Sequence, residues 1–142
     1  MKLVAREAET QALTEWLRER PMRLTSILSK VEVLRAVRRV ASATEDAGLI
    51  GRAFDVLASV AIIGLTPGVA DRAAVADPAT LRSLDAVHLA TAVLAAPLEA
   101  LVVYDDRLAE AARAAGVRVV QPGREPHDAG AFETPDSHRP ER

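Results

Sequence analysis

Cysteine is absent from the sequence, which excludes disulfides, thiolate metal sites and cysteine nucleophiles. The remaining metal donors are oxygen ligands and three histidines, of which His127 and His138 lie near the C-terminus. Long apolar runs are also missing, since none approaches the roughly 20 residues that a membrane-spanning helix requires. The opening stretch MKLVAREAET lacks the apolar segment and the cleavage site of a signal peptide. These absences predict a cytoplasmic protein with no membrane partner.

The sequence also lacks a glycine-rich phosphate loop, a serine–histidine nucleophile arrangement, internal repeats and coiled-coil heptads. Its net charge is −2, so a nucleic-acid partner would need a local basic patch. A length of 142 residues fits one domain. We assign residues 1–122 to this domain. Residues 123–142 are rich in proline, glycine and charge, which predicts a disordered tail.

Apolar spacing and turn residues predict an alternation of helices and short strands. Ser26 and Gly116 stand where an N-cap and a C-cap would bound two of the helices. The predicted helices cover residues 7–20, 27–41, 45–59, 69–76, 84–95 and 106–115, and the predicted strands cover residues 22–26, 60–66, 100–105 and 117–121. Strands with continuous apolar runs between helices indicate an α/β fold, a three-layer sandwich with a central parallel sheet.

Three acidic residues lie where strands end or helices begin. Glu32 is in the second turn of the helix after RLTS, Asp85 is in the first turn of SLDAVHLATA, and Asp105 directly follows the strand ALVVY. Ligands bind at the carboxyl ends of parallel strands, and clustered carboxylates repel one another unless a cation neutralises them. Mg²⁺ and Mn²⁺ accept such oxygen ligands, and a bound ion could activate water against a phosphodiester.

Each of these acids also has a purely structural interpretation. Asp85, two residues after a capping Ser83, could simply favour the positive end of its helix. Glu32 could pair with Arg35 three residues further on. Asp105 and Asp106 are common turn and N-cap residues at a strand end, and Asp106 in particular could cap the following helix. Spacing alone leaves these alternatives open.

Basic and imidazole nitrogens near the acids are candidates for substrate contact. His88 lies one helical turn after Asp85 and could bond a carboxylate or a substrate group, although a histidine on an apolar helix is more often structural. Arg35, Arg38 and Arg39 could contact phosphates, although exposed helix arginines usually serve solubility. The spacing does not separate these roles.

Three segments together resemble the PIN-domain ribonucleases, most closely the VapC-type toxins of bacterial toxin–antitoxin pairs: SILSKVEVLRAVRR, LDAVHLATA and ALVVYDDRLAEAARAAGV. In that family four acidic residues at the carboxyl edge of the sheet hold one or two Mg²⁺ or Mn²⁺ ions and cut RNA. By this resemblance Glu32, Asp85 and Asp105 are the second, third and fourth acids, and are both catalytic and metal-binding. Asp106 is an auxiliary metal ligand.

The resemblance implies further roles and partners. His88 supports the first turn of its helix and, with Arg35 and Arg39, binds substrate. The implied partners are RNA, a cognate VapB-type antitoxin whose C-terminal segment covers the acidic site, and a second copy of the chain in a homodimer. The implied function is a metal-dependent endoribonuclease toxin. The alternative is a non-catalytic, degraded PIN fold that binds an antitoxin or RNA.

The sequence departs from the family pattern in two places. A threonine usually stands two residues before the fourth acid, where this chain has Val103. The family also begins with a central strand that carries the first acid, whereas this chain starts within the following helix. We therefore expect two open strand edges, an exposed apolar slot, and weak metal binding and activity. Either the true start lies upstream and Met1 is an internal methionine, or the chain is a truncated relative.

Overall fold

A computed structural model describes residues 2–5, 7–44, 46 and 48–124. Helices and short strands alternate along them as predicted, although the strands are shorter than expected. The elements are α1 (Thr10–Arg18), β1 (Leu24–Ser26), α2 (Ile27–Thr44), α3 (Gly48–Ala58), β2 (Ala61–Ile63), α4 (Pro67–Ala74), α5 (Ser83–Leu94), β3 (Leu101–Val102), α6 (Asp106–Ala114) and β4 (Val119–Val120). Each helix in this part of the chain is too short or too polar to cross a membrane.

Local capping explains where several helices begin and end. The Ser26 hydroxyl accepts a backbone N–H from the first turn of α2 at 3.2 Å, so the predicted N-cap is confirmed. Gly116 has a φ of +79°, the left-handed conformation that commonly ends a helix. The helix predicted from residue 7 begins only at Thr10. The Thr10 hydroxyl closes the preceding turn by accepting from the Glu7 N–H at 2.8 Å and donating to the Lys2 carbonyl at 2.7 Å.

The strand pairs in the described residues are parallel, but they form two separate sheets. β1 pairs with β2, with Thr25 opposite Ile62, and β3 pairs with β4, with Leu101 opposite Val119. Parallel strands joined through helices confirm the α/β class. Within residues 2–5, 7–44, 46 and 48–124, no strand joins the two pairs. This separation of the strand pairs agrees with the open strand edges expected from the sequence.

Buried apolar side chains form two core clusters. One lies between α2, α3 and the segment before α1, and its members are Val4, Val37, Leu49 and Ala53. The other lies between α5, α6 and the end of β3, and its members are Leu89, Val103, Leu108, Ala109, Ala111 and Ala112. Removing these side chains from water is the main driving force for folding. Strand residues Leu101 and Val119 pack against the second cluster, whereas the first is built from the two helices and the segment before α1.

Helix α5 lies at the centre of the fold, where it packs against α4, β1 and α6. Its buried residues are Ala86, Leu89, Ala90, Thr91 and Ala92. The buried Thr91 hydroxyl donates to the Val87 carbonyl at 2.8 Å, so this polar group is satisfied inside the helix. The body of α5 thus belongs to the core, while Asp85 and His88 lie toward its N-terminal end.

The turn at residues 122–124 packs against α1. The Tyr104 hydroxyl donates to the Pro122 carbonyl at 2.8 Å. Gly123 has a φ of +83°, and a Cβ at this position would lie 3.1 Å from both Glu9 Cα and Ala12 Cβ. Only glycine fits this close approach without strain. The predicted tail thus begins with two residues packed on the domain, and its remaining residues, 125–142, lie outside the described part of the chain.

Candidate active site

Glu32 lies in the second turn of α2, and its side chain is 47% exposed. Helix α2 starts directly after β1, because Ser26 both ends the strand and caps the helix. The Glu32 Oε2 atom lies 2.9 Å from His88 Nε2, although the two residues are 56 positions apart in the chain. The predicted alternative, an ion pair with Arg35, is not formed. The partner of this carboxylate is a histidine on another helix.

Asp85 lies in the first turn of α5, as predicted. The N-cap of this helix is Arg82, whose side chain makes no capping hydrogen bond, so the expectation that Ser83 caps α5 is wrong. Arg82 has extended backbone angles, with a ψ of 146°, and Ser83 is therefore already helical. Because the helix has no side-chain cap, its positive N-terminal end favours a carboxylate such as Asp85 nearby.

Asp105 and Asp106 lie between β3 and α6. Asp105 Oδ1 accepts the backbone N–H of Leu108 at 3.0 Å, so Asp105 is the N-cap and the alternative in which Asp106 caps α6 is wrong. The reason is the extended backbone of Asp105, with a ψ of 124°, which suits an N-cap and not a helical residue. Asp106 instead accepts a hydrogen bond from Arg124 at 2.9 Å. Both carboxylates therefore have partners within the fold.

Arg35 and Arg39 lie on the exposed surface of α2. They follow Glu32 by three and seven residues, so all three share one helical face. In the part of the chain that the structure describes, neither arginine forms an ion pair with an acidic side chain. Arg38 is also exposed. This face of α2 combines one carboxylate with cations that are available to an anionic ligand.

Charged groups surround Tyr104, a feature that the sequence patterns did not predict. Lys2 Nζ lies 2.6 Å from the Glu9 carboxylate and 4.6 Å from the centre of the Tyr104 ring. Arg124 lies 5.6 Å from the same ring. The hydrogen bond from Lys2 lowers the pKa of Glu9, the bonds to Glu9 and Glu7 raise the pKa of Lys2, and burial raises the pKa of Tyr104. We call these five residues the Tyr104 cluster.

The structure brings together only part of the predicted site. Glu32 and His88 are in contact. Among residues 2–5, 7–44, 46 and 48–124, no three histidine or acidic side chains are grouped closely enough to hold a metal ion. The oxygen donors are of the kind that hard cations prefer, but their arrangement does not fit a complete metal site. Metal binding by Glu32, Asp85, Asp105 and Asp106 stays a prediction.

A profile of the PIN domain matches residues 1–114. This chain belongs to the PIN-domain family. It is 43% identical over 128 residues to "Ribonuclease VapC35" of Mycobacterium tuberculosis H37Rv. The aligned region covers 87% of this chain and 91% of the relative. "Ribonuclease VapC46" of the same strain is 40% identical over 123 residues, covering 86% and 91%. "Ribonuclease VapC47" of Mycobacterium tuberculosis CDC 1551 is 39% identical over 127 residues, covering 86% and 90%. No solved structure is significantly similar.

Membership of the PIN-domain family bears on the acidic residues, because PIN-domain ribonucleases generally use divalent metal ions. At position 103 the resemblance led us to expect a threonine, and the chain has Val103. Val103 is 9% exposed and belongs to the core cluster around α6. In this PIN domain the position therefore contributes apolar packing and offers no hydroxyl.

Proposed function

We propose that this PIN-domain chain is a VapC-type endoribonuclease, the toxin of a toxin–antitoxin pair, which hydrolyses RNA phosphodiester bonds. Its similarity to proteins named VapC ribonucleases, at 39–43% identity over 86–87% of the chain, carries the proposal. The contact between Glu32 and His88 supports it, because this contact joins two of the three motifs that suggested the family.

The residues proposed for catalysis are Glu32, Asp85 and Asp105, with Mg²⁺ or Mn²⁺ as the cofactor and Asp106 as an auxiliary ligand. Their carboxylates are hard oxygen donors, which suit these ions better than soft metals. The described residues do not gather three such donors, so metal binding requires the acids to approach one another more closely. Weak metal binding and weak activity follow.

The proposed substrate contacts are Arg35 and Arg39. Both are exposed beside Glu32 on one face of α2, and guanidinium groups bind phosphate oxygens well because they present several donors in a fixed plane. With a net charge of −2, the protein has no general attraction for nucleic acid. A local pair of arginines would therefore supply the positive charge that RNA requires.

The proposed partners are a VapB-type antitoxin and a second copy of the chain. The VapC names of the relatives support the first. Exposed apolar side chains on neighbouring helices support the second, since Val40 on α2 and Ile50 and Phe54 on α3 would gain from burial. The cytoplasm is the proposed location, because the chain has no cysteine to stabilise it by disulfides in an oxidising compartment.

Cleavage of a mixed RNA substrate in the presence of Mn²⁺ tests the proposal. We expect slow cleavage that EDTA abolishes. The Asp85→Asn substitution should lower the cleavage rate by more than about 10- to 100-fold, the loss that is typical when a residue supporting the metal ligands is removed. The matched control is Asp71→Asn, which makes the same change on the exposed surface of α4 and should leave the rate unchanged.

Two results would contradict the ribonuclease proposal. Cleavage by Asp85→Asn at the rate of the unaltered chain would remove the acidic site from the reaction. A folded chain that binds RNA with micromolar affinity but does not cut it would favour the binding-protein alternative.

A further inference from the structure

The one side-chain hydrogen bond between α2 and α5 in the described residues joins Glu32 to His88, at 2.9 Å. The two partners differ in exposure. The His88 side chain is only 18% exposed, whereas that of Glu32 is 47% exposed. The imidazole is therefore fixed by its surroundings, and the carboxylate is held at one oxygen while its remaining surface faces solvent.

The direction of this hydrogen bond follows from the chemistry of the two groups. An ionised carboxylate can only accept, so His88 Nε2 must carry the proton and donate to Glu32 Oε2. A hydrogen bond to a charged acceptor is stronger than one between neutral groups. Glu32 has this bond in place of the local pair with Arg35, three residues away, that helix geometry would allow. The imidazole thus decides where the carboxylate points.

His88 lies on the same helix as Asp85, another of the predicted acids. Asp85 lies three residues before His88 on α5, so both side chains project from the same helical face. By bonding to His88, Glu32 is drawn toward the N-terminal end of α5, where Asp85 lies.

We propose that His88 is a positioning residue for Glu32 in the RNA-cleaving site, and not a substrate contact. The inference rests on the proposed function, but it changes the role that the sequence suggested for His88. Its Nε2 atom is already bonded to a carboxylate and its ring is largely buried, so the atom that would reach a phosphate is occupied. Arg35 and Arg39 remain the substrate contacts on this face.

Substitution of His88 by residues with and without a donor tests this role. His88→Phe keeps a flat ring but removes the N–H, and we expect kcat for RNA cleavage to fall about 10- to 100-fold while KM stays nearly unchanged. His88→Gln keeps an N–H donor at similar reach and should recover most of kcat. The control is Thr91→Val, which removes a buried hydroxyl that bonds only within α5 and should leave kcat unchanged.

A double-mutant cycle measured by urea unfolding tests the same contact without relying on activity. The unfolding equilibrium constant is measured for His88→Phe, for Glu32→Ala and for the double variant. The effect of the double substitution should differ from the combined effects of the two single ones by about 3- to 10-fold. If His88→Phe does not fold, His88→Leu takes its place.

Several results would overturn the proposal. They are an increase in KM with unchanged kcat, a His88→Gln variant as defective as His88→Phe, and no coupling between the two positions. If the unaltered chain cuts no RNA, the proposed function fails and the positioning role in cleavage fails with it. The unfolding cycle then still shows whether Glu32 and His88 interact, which separates the two failures.

Discussion

The two halves of the molecule are packed to different degrees. The amino-terminal half comprises β1, β2, α2 and α3, and the carboxyl-terminal half comprises α5, α6, β3 and β4. Helix α2 has 18 residues and buries only Val37, whereas α6 has nine residues and buries four. The amino-terminal half also leaves Val31, Val40, Ile50 and Phe54 exposed. Its core is therefore the less complete of the two.

This difference affects the two sides of the candidate active site unequally. Asp105 belongs to the well-packed half, where its capping bond to the first turn of α6 holds it in place. Glu32 belongs to the loosely packed half, and its bond to His88 ties it to the other one. A carboxylate on a poorly covered helix needs such a long-range bond, because its own helix does not fix it.

The largest effect is expected from breaking the core of the carboxyl-terminal half. Leu89→Ala removes a side chain that is 3% exposed, and should lower the free energy of unfolding by about 2–5 kcal/mol, because a cavity adds to the lost burial. Leu94→Ala on the same helix removes a side chain that is 54% exposed and should change it by less than about 0.5 kcal/mol. Urea unfolding measures both, and similar losses would contradict the assignment of the core.

A smaller effect is expected in the amino-terminal half. Val37→Ala should cost about 1–3 kcal/mol, with Val40→Ala, at a partly exposed position of α2, as the milder control. Amide hydrogen exchange compares the two halves directly. Val37→Ala should speed exchange in α2 and α3 more than in α6. Equal acceleration in α6 would mean that the two halves unfold as one unit.

The smallest effect concerns the Tyr104 cluster, which joins the segment before α1 to the end of β3. Lys2 lowers the pKa of Glu9, so the stabilisation from this carboxylate is present above the ordinary glutamate pKa. It is lost as the pH falls through the lowered pKa of Glu9. Between about pH 7 and about pH 3, the urea midpoint of the unaltered chain should therefore fall slightly more than that of Glu9→Gln.

Glu110→Gln is the control for this pH dependence, because Glu110 is exposed on α6 and has no ion pair in the described region. Its urea midpoint should follow the same pH dependence as that of the unaltered chain. A Glu9→Gln variant with an unchanged pH dependence would show that the ion pair with Lys2 contributes nothing measurable to stability.

The parts of the fold that depend on local chemistry could be predicted from the sequence. Helix α2 and its cap at Ser26 follow from apolar spacing and one hydroxyl, and the end of α6 follows from Gly116. The caps of α5 and α6 could not be assigned, because they depend on the backbone angles of single residues, Arg82 and Asp105. Side-chain chemistry favours Ser83 over Arg82 as a cap, and it does not separate the adjacent aspartates Asp105 and Asp106.

The candidate site was predictable only in part. The pattern identified Glu32, Asp85 and Asp105 as acids near strand ends, and His88 as a group that could bond a carboxylate. It could not show that Glu32 is that carboxylate, because the choice depends on how α2 packs relative to α5. The Tyr104 cluster left no local signal at all, since its members come from three distant segments and meet only in the folded chain.

The surroundings of Lys2 also determine its reactivity. The chain has two lysines, and they differ in state: Lys30 is exposed on α2, whereas the Lys2 amine is held by Glu9 and Glu7 over the Tyr104 ring, and its pKa is raised. The unprotonated amine is the form that attacks an acylating reagent, and the carboxylate partners of Lys2, by raising its pKa, make this form rarer at Lys2. Lys30 is therefore modified first, and Lys2 reacts when the segment before α1 detaches from β3. Acylation of Lys2, followed by mass spectrometry, would thus report on the opening of the junction between the two halves.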